Sequence, residues 1–502
     1  MILREKPFVF IACLLLGLLF AGHALAENAL NSAAGNPKLR GADSVLEKMR
    51  QGASQGKFIV MLKASKNAAR DFSTKEGKAQ VSARTAAALD AFLNRKNASE
   101  VGNVSRRFTY MPGFAASLTA EQLAALLESE AVDYIEENNI HTLHLRQGVP
   151  LENALKTRPQ FSGERVSVAI VDTGVDYNNV YLGGKPIGEN TVVIGGRDFG
   201  LDKDDPMDTS GHGTSCAGIV AGTIGDTGDY IGGVAPGAKI YALKTSDAKG
   251  DSSDDAIIAA WEWSITHQDD APESPIMIIS VSLGSGYYQS ACDDEQEALA
   301  TAAEHVRDAG ITLFVSAGNE GYCDGLGSPG CLSSVISVGA VYDAAFGVTG
   351  ACVEKESCVA VAEPDCESGY YAEDTSEADK VTSYSDSASF LTLFAPADQC
   401  YTLQCAAKGS TFNTEFGGTS AACPYAAGAA AALQSAAARL TGAYLTPAQI
   451  KNILTSTGDD VTDPKASVTK PRVDLLTAIN VLRRSFNLTP LDIPAAIRAK
   501  IY

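Results

Sequence analysis

The sequence predicts an α/β protein: a mostly parallel sheet flanked by helices, preceded by a smaller α+β domain. Three observations lead there. Beyond residue 165 the chain alternates apolar strands with helical stretches, the pattern of a parallel sheet with crossover helices. Between residues 57 and 142 the order of elements is instead β-α-β-β-α-β. With 502 residues, 45% of them hydrophobic, the chain is also long enough for a large core and more than one folding unit.

In chain order, residues 1–26 read as a secretory signal. Arg4 and Lys6 give a positive start, Phe8 to Phe20 are apolar, and Ala24-Leu25-Ala26 fits a small-residue cleavage site. The apolar run is shorter than the roughly 20 residues of a spanning helix, and no later stretch is long enough either. A soluble, exported protein is expected, secreted or in transit through a periplasm. Residues 27–56 are small, polar and weakly patterned and read as a linker. Residues 57–145 form the small domain. KFIVMLKA (57–64) is a strand, KAQVSARTAAALDAFLNR (78–95) has helical spacing, and RRFTYMPGFAASLT (106–119) gives two short strands around a Met-Pro-Gly turn. Thr119 then opens a helix with Gln122 at the capping-box position, and AVDYIEEN (131–138) closes the set as a strand. This order is that of a ferredoxin-like domain.

Residues 140–165 read as a loop, and residues 146–485 as the larger domain, followed by a tail at 486–502. RVSVAIVDTG (165–174), KIYALKT (239–245), IMIISVSLG (276–284) and ITLFVSAGN (311–319) are nearly continuous apolar strands of a buried parallel sheet. AIIAAWEWSI and EQEALATAAEHVRDAG supply two helices. Sites in such sheets collect at the carboxyl ends of strands.

Net charge is −20, but it is uneven. Residues 27–145 hold 15 basic and 13 acidic side chains; residues 146–502 hold 23 basic and 46 acidic. The acidic larger part argues against nucleic acid or an anionic membrane as a partner. Of 11 cysteines, Cys13 lies in the signal. Export permits disulfides among Cys292, Cys323, Cys331, Cys352, Cys358, Cys366, Cys400 and Cys405, with 105 pairings open. Cys352–Cys358 and Cys400–Cys405 are local candidates. Cys216 and Cys423 read as buried free thiols.

Four element ends carry chemistry. VDTGVD places Asp172 at the end of the first strand. GHGTSCAG puts His212 between glycines at a helix start, whereas His267 and His305 read as surface histidines. VSAGNEG follows a strand with Asn319. GGTSAACP sets Ser420 after two glycines at the head of an alanine-rich helix, with Pro424 near its first turn. A lone serine there is most often an N-cap, and a strand-end aspartate is most often a turn former. Together, though, a hydroxyl, an imidazole, a carboxylate and an amide donor are the groups that acyl transfer requires.

The quartet VDTGVD, GHGTSCAG, SAGNEG and GGTSAACP, in that order, resembles the subtilisin family of serine proteases, and GGVAPGAKIYALK and SVSLGSG extend the likeness from about Val149 to about Leu482. Residues 57–142 are similar to the inhibitory propeptides that precede many subtilases. The resemblance implies a subtilisin-like larger domain and a serine endopeptidase in which Ser420 is the nucleophile, His212 the general base and then acid, and Asp172 the residue that orients the imidazole. Asn319 and the Ser420 amide would hold the oxyanion. It implies an extended peptide or protein substrate between Ser282-Leu283-Gly284 and Lys249-Gly250-Asp251-Ser252. Ser316, Ala317 and Gly318 would line a roomy, uncharged primary pocket.

Asp205, Asp208, Asp251, Asp254 and Asp255 read as a solvated acidic face, with a subsite for basic residues as the sharper alternative. The small domain would serve as folding helper and intramolecular inhibitor, released by self-cleavage near Leu145-Arg146. No cofactor is expected for catalysis. Structural calcium has two candidate stretches, Gly225 to Gly232 and Asp202 to Asp208, neither with EF-hand spacing. The alternatives are a catalytically inactive subtilase fold used for binding and an esterase, although the serine lacks a G-x-S-x-G elbow.

Overall fold

The computed structural model describes residues 29–51, 53–63, 72, 74–96, 98–138, 140–143, 148–225 and 230–491. The signal segment, the expected cleavage bond and most of the tail lie outside the described residues. The chain divides into two compact units, one reaching to residue 139 and the other running from 140 onward and including residues 72–74.

The small unit is a five-stranded sheet in the order β1-β5-β2-β4-β3, where β1 is Leu39–Arg40, β2 Gly56–Leu62, β3 Asn103–Arg107, β4 Gly113–Leu118 and β5 Val132–Glu137. All pairs are antiparallel except β1 with β5. Strands β2 to β5 follow the expected β-α-β-β-α-β order, with helices Lys75–Leu93 and Ala120–Leu127 between them. Thr119 and Gln122 close a reciprocal capping box, satisfying two amides at the second helix's start.

Residues 27–56 are not a plain linker. They contain β1 and the helix Asp43–Arg50, and Leu30, Ala33, Val45, Leu46 and Met49 are buried with Phe58, Val60 and Phe114 in the unit's core. Their spaced apolar residues are too few for a clear helical pattern, but the sheet offers them a surface to cover.

The larger unit is built on nine strands in the order β22-β23-β19-β15-β13-β11-β7-β9-β8. β7 is Ser167–Asp172, β8 Val193–Asp198, β9 Lys239–Lys244, β11 Ile276–Val281, β13 Thr312–Ser316, β15 Ile336–Tyr342, β19 Leu393–Ala397, β22 Asp459–Asp463 and β23 Val468–Arg472. Every neighbouring pair is parallel except β22 with β23. The helix Thr419–Thr441 packs on β11, β13, β15 and β19. Its alanines from 429 to 432 are fully buried, and small side chains let a helix approach a sheet this closely. Helices Asp254–Thr266 and Glu297–Asp308 pack on each other and reach β11 and β13 respectively. β7, β9, β11 and β13 are neighbours, so their carboxyl ends share one edge.

The loop expected at 140–165 begins as a strand. β6, Ile140–Leu143, lies between β10 (Ser252–Ser253) and β12 (Leu283–Tyr288) and is antiparallel to both. An extended segment needs partners for its amides and carbonyls, and here two loop edges supply them. By its contacts β6 goes with the larger unit.

The disulfides are Cys292–Cys331, Cys323–Cys358 and Cys352–Cys366. Neither local candidate forms. Cys352 ends β16 (Val348–Cys352), which pairs with β18 (Tyr370–Thr375), and this hairpin brings Cys366 to a Cα separation of 5.5 Å from it. Cys400 opens the strand β20 (Cys400–Leu403), and extended chain carries Cys405 away at about 3.3 Å per residue. Cys400 and Cys405 are buried thiols, as are Cys216 and Cys423. His305, expected at the surface, is buried, and His267 is half-buried with its ring stacked on Trp263.

Candidate active site

Asp172 is the last residue of β7 and is buried. Its Oδ1 accepts from the His212 ring at Nδ1, 2.7 Å away, and from the Thr173 amide at 2.7 Å. His212 is the first residue of the helix His212–Ala221, whose N-cap Gly211 adopts φ 97°, a conformation open to glycine at little steric cost. Gly213 has no room for a side chain: a Cβ there would stand 2.1 Å from the Gly174 carbonyl and 3.0 Å from the Asp172 Cβ. That close approach seats the imidazole beside the carboxylate. Asp208, read from the sequence as part of a solvated face, is buried and fixes the same helix start. Its Oδ1 accepts from the amides of Ser210 and Gly211, and its Oδ2 from the amide and hydroxyl of Thr214. Asp254 and Asp255 are buried as well.

Ser420 is the second residue of the helix Thr419–Thr441, after Gly418 at φ 79°. Pro424 sits deeper than the first turn. It is the sixth helical residue, so it withholds the amide that would otherwise bond the Ser420 carbonyl. That carbonyl instead accepts from Ser282 Oγ at 2.9 Å and from the Cys216 thiol at 3.6 Å. The Ser420 hydroxyl donates to the Ser282 carbonyl at 3.1 Å. Cys216 also lies 3.8 Å from His212 Nδ1, so one thiol touches both helix starts. Burial, reinforced by Asp172, pushes that thiol well above its ordinary pKa and keeps it protonated.

Asn319 follows β13. Its Oδ1 accepts from the Thr419 amide at 2.7 Å and from Thr419 Oγ1 at 3.1 Å, which orients the side chain beside the residue preceding Ser420. Its Nδ2 is buried and has no partner. An orphaned buried donor is costly unless a ligand completes it.

Of the predicted cleft residues, Leu283 and Gly284 pair with β6 through Leu143 and Thr142. On the other edge the pairing falls on Ser252 and Ser253. Gly250 and Asp251 form the preceding turn, closed by Asp247, and do not pair. Ser316 and Ala317 are buried beside β12 and β15, with Ser316 Oγ donating to the Leu283 carbonyl. The carboxyls of Asp386 and Glu320 close around Gly318. Nothing local in the sequence marks Asp386 or Thr419, because each acts through a partner distant in the chain, and Asp208 is legible only as an acidic residue, not as the cap of the His212 helix start.

Asp172, His212 and Cys216 are the one group among the described residues whose ligand atoms approach within 4.8 Å. A protonated thiol and an imidazole nitrogen committed to a carboxylate make a poor metal site. The Asp202–Asp208 stretch does not fit calcium either. Asp202 and Asp204 pair with Arg197, Asp205 Oδ1 is engaged by Tyr177 and Met207, and both oxygens of Asp208 are taken by helix-start donors. Residues 226–229 of the other candidate stretch lie outside the described residues.

Comparison with known proteins identifies the family of both parts of the chain. The Subtilase family profile matches residues 163–470, and that of the peptidase inhibitor I9 family matches residues 57–144. The chain is 33% identical over 250 residues to serine protease AprX of Bacillus subtilis (strain 168), covering 47% of this chain and 53% of that protein. It is 29% identical over 344 residues to subtilisin E of the same organism, covering 66% and 73%. It is also 26% identical over 380 residues to alkaline serine exoprotease A of Vibrio alginolyticus, covering 71% and 58%. The match thus spans about half the length of AprX and about three quarters of subtilisin E. The chain belongs to the Subtilase family of serine endopeptidases, with an inhibitor I9 domain ahead of the subtilase domain, the organisation of a serine-protease zymogen. Family chemistry needs no catalytic cofactor. No described helix is long and apolar enough to cross a membrane.

Proposed function

We propose that this chain is a secreted endopeptidase that processes itself and cleaves peptide bonds through Asp172, His212 and Ser420. The observation that carries the reading is the buried, unpartnered Nδ2 of Asn319, held at the start of the Ser420 helix. Ser420 Oγ attacks the scissile carbonyl while His212 takes its proton, and Asp172, bonded to the other ring nitrogen, holds the imidazole in orientation. The carbonyl oxygen gains negative charge and is met by Asn319 Nδ2 and by the Ser420 amide, which has no acceptor within its own helix. His212 then protonates the departing amine, leaving an acyl-enzyme. A water that gives its proton to His212 hydrolyses it.

β6 supports self-inhibition. It occupies the space between the two edges where a substrate strand would add, with its carboxyl end directed toward Ser282. Cleavage just past β6, near Leu145-Arg146, would release the whole small domain, with residues 57–145 and the segment ahead of them, as a product-like inhibitor. The leading segment, residues 1–26, is read as the export signal.

The test is digestion of a peptide library by the purified mature form beside a Ser420→Ala control. Cleavage by the first alone, and a precursor that stays full-length when Ser420 is replaced, are the expected results. Equal processing in the Ser420→Ala protein contradicts self-cleavage.

A further inference from the structure

The loop that carries Asn319 is clamped from behind by residues 384–387. The Gly321 amide donates to the Tyr384 carbonyl at 2.9 Å, and the Ser387 amide to the Tyr322 carbonyl at 2.9 Å. Asp386 holds both ends of the loop. Its amide donates to the Gly318 carbonyl at 3.0 Å, and its Oδ1 accepts from the Tyr322 amide at 2.9 Å. Within this clamp Glu320 folds back, and its Oε2 accepts from the Asn319 amide at 2.8 Å.

Gly318 shows how close the two carboxyls are. It has φ 120°, and a Cβ there would lie 2.2 Å from Asp386 Oδ2 and 2.7 Å from Glu320 Oε2. The two oxygens are therefore no farther apart than the sum of those lengths. Asp386 is fully buried, its Oδ2 has no hydrogen-bond partner, and Glu320 is half-buried. A fully buried carboxyl beside a second one resists ionising, and a carboxyl that keeps its proton becomes a donor. Burial first, and Glu320 second, push Asp386 well above the ordinary carboxylate range; Lys465 pulls weakly the other way. Lys465 itself pairs with Asp463, which accepts from Ser387 Oγ. On the other side, burial first, and then Glu320, Asp386, Glu354 and Glu356, hold the Tyr322 hydroxyl neutral.

Resting on the assignment of Asn319 as oxyanion donor, we propose that Asp386 is a positioning residue for that donor, acting through a proton shared with Glu320. The proton on Asp386 holds the Glu320 carboxylate, and the carboxylate holds the backbone of Asn319. Thr419 fixes the side-chain oxygen from the front, so Nδ2 has one place to point. When alkaline pH removes the proton, the two carboxylates repel and the hold on the Asn319 amide weakens. The loss belongs in kcat, because the oxyanion exists only in the transition state.

The experiment measures kcat and KM from neutral to strongly alkaline pH with the mature enzyme on a chromogenic peptide amide. The variants are Asp386→Asn, Asp386→Ala, Asn319→Ala and the Asp386→Ala/Asn319→Ala pair. Asp386→Ala is expected to lower kcat by about 10- to 100-fold, the scale of small misplacements in an active site, with KM little changed. Asp386→Asn keeps an acceptor and a donor in place, so it rescues most of that kcat and weakens the alkaline fall seen in the wild type. In the Asn319→Ala background, replacing Asp386 is expected to change kcat less than about twofold, because coupled residues are not additive. Losses that multiply in the double variant, or an Asp386→Asn profile that falls with pH as the wild type does, overturn the role of Asp386 while leaving Asn319 in place. Normal turnover by Asn319→Ala alone overturns both.

Discussion

Helices at the site and helices in the framework start differently. The framework helices Pro447–Thr457 and Ala120–Leu127 open with complete capping boxes, Thr446 with Gln449 and Thr119 with Gln122. The site helices His212–Ala221 and Thr419–Thr441 open on left-handed or otherwise extended glycines, Gly211 and Gly418, with no side-chain cap. A side-chain cap is worth about 1 kcal/mol, and both site helices forgo it. What replaces it differs between them. The His212 helix has its early amides taken by neighbours: Thr173 Oγ1 accepts from Gly213 and Asp208 Oδ2 from Thr214. The Ser420 helix has only the Thr419 amide bonded to a side chain, that of Asn319. The first helix start is locked to aim a ring, while the second is left open beside a hydroxyl, where the helix dipole favours negative charge.

That contrast can be broken at its strongest point by removing the open donor. Asn319→Ala is expected to cut kcat by about 10²–10³-fold with little change in KM; the magnitude is that established for such a donor in subtilisin, not deduced from this structure. Pro424→Ala comes next. It returns an amide that competes with Ser282 Oγ and Cys216 for the Ser420 carbonyl, so the hydroxyl shifts and kcat falls by about tenfold or less. The same variant gains thermal stability by restoring a helical hydrogen bond, and a melt alongside the kinetics checks both halves. The smallest effect belongs to the framework. Thr446→Val loses its cap and about 1 kcal/mol of stability by denaturant titration, with peptide hydrolysis at the wild-type rate.

The sequence made much of this legible because its signals were local. Apolar runs marked β7, β9, β11 and β13, and glycine-flanked His212 and Ser420 marked the two helix starts. Thr119 and Gln122 announced their capping box at the right spacing. Long-range pairings were not legible. Nothing near Cys323 pointed to Cys358, and Asp386 lies 66 positions from Glu320, so neither residue's neighbours betray the shared proton. Pro424 was visible but misplaced by half a turn or more: only the observed helix start shows that it frees the Ser420 carbonyl. β6 hid because it spans only Ile140–Leu143, too short for an alternation to read.

The central claim is that folding joins Asp172, His212, Ser420 and Asn319 into one acylating centre. Treating the mature enzyme with a fluorophosphonate and locating the adduct by peptide mass spectrometry tests it most directly. One stoichiometric adduct is expected on Ser420, absent from Ser420→Ala and slowed in Asn319→Ala. An unlabelled Ser420 in folded, fully processed protein, or an adduct formed only elsewhere, would contradict it.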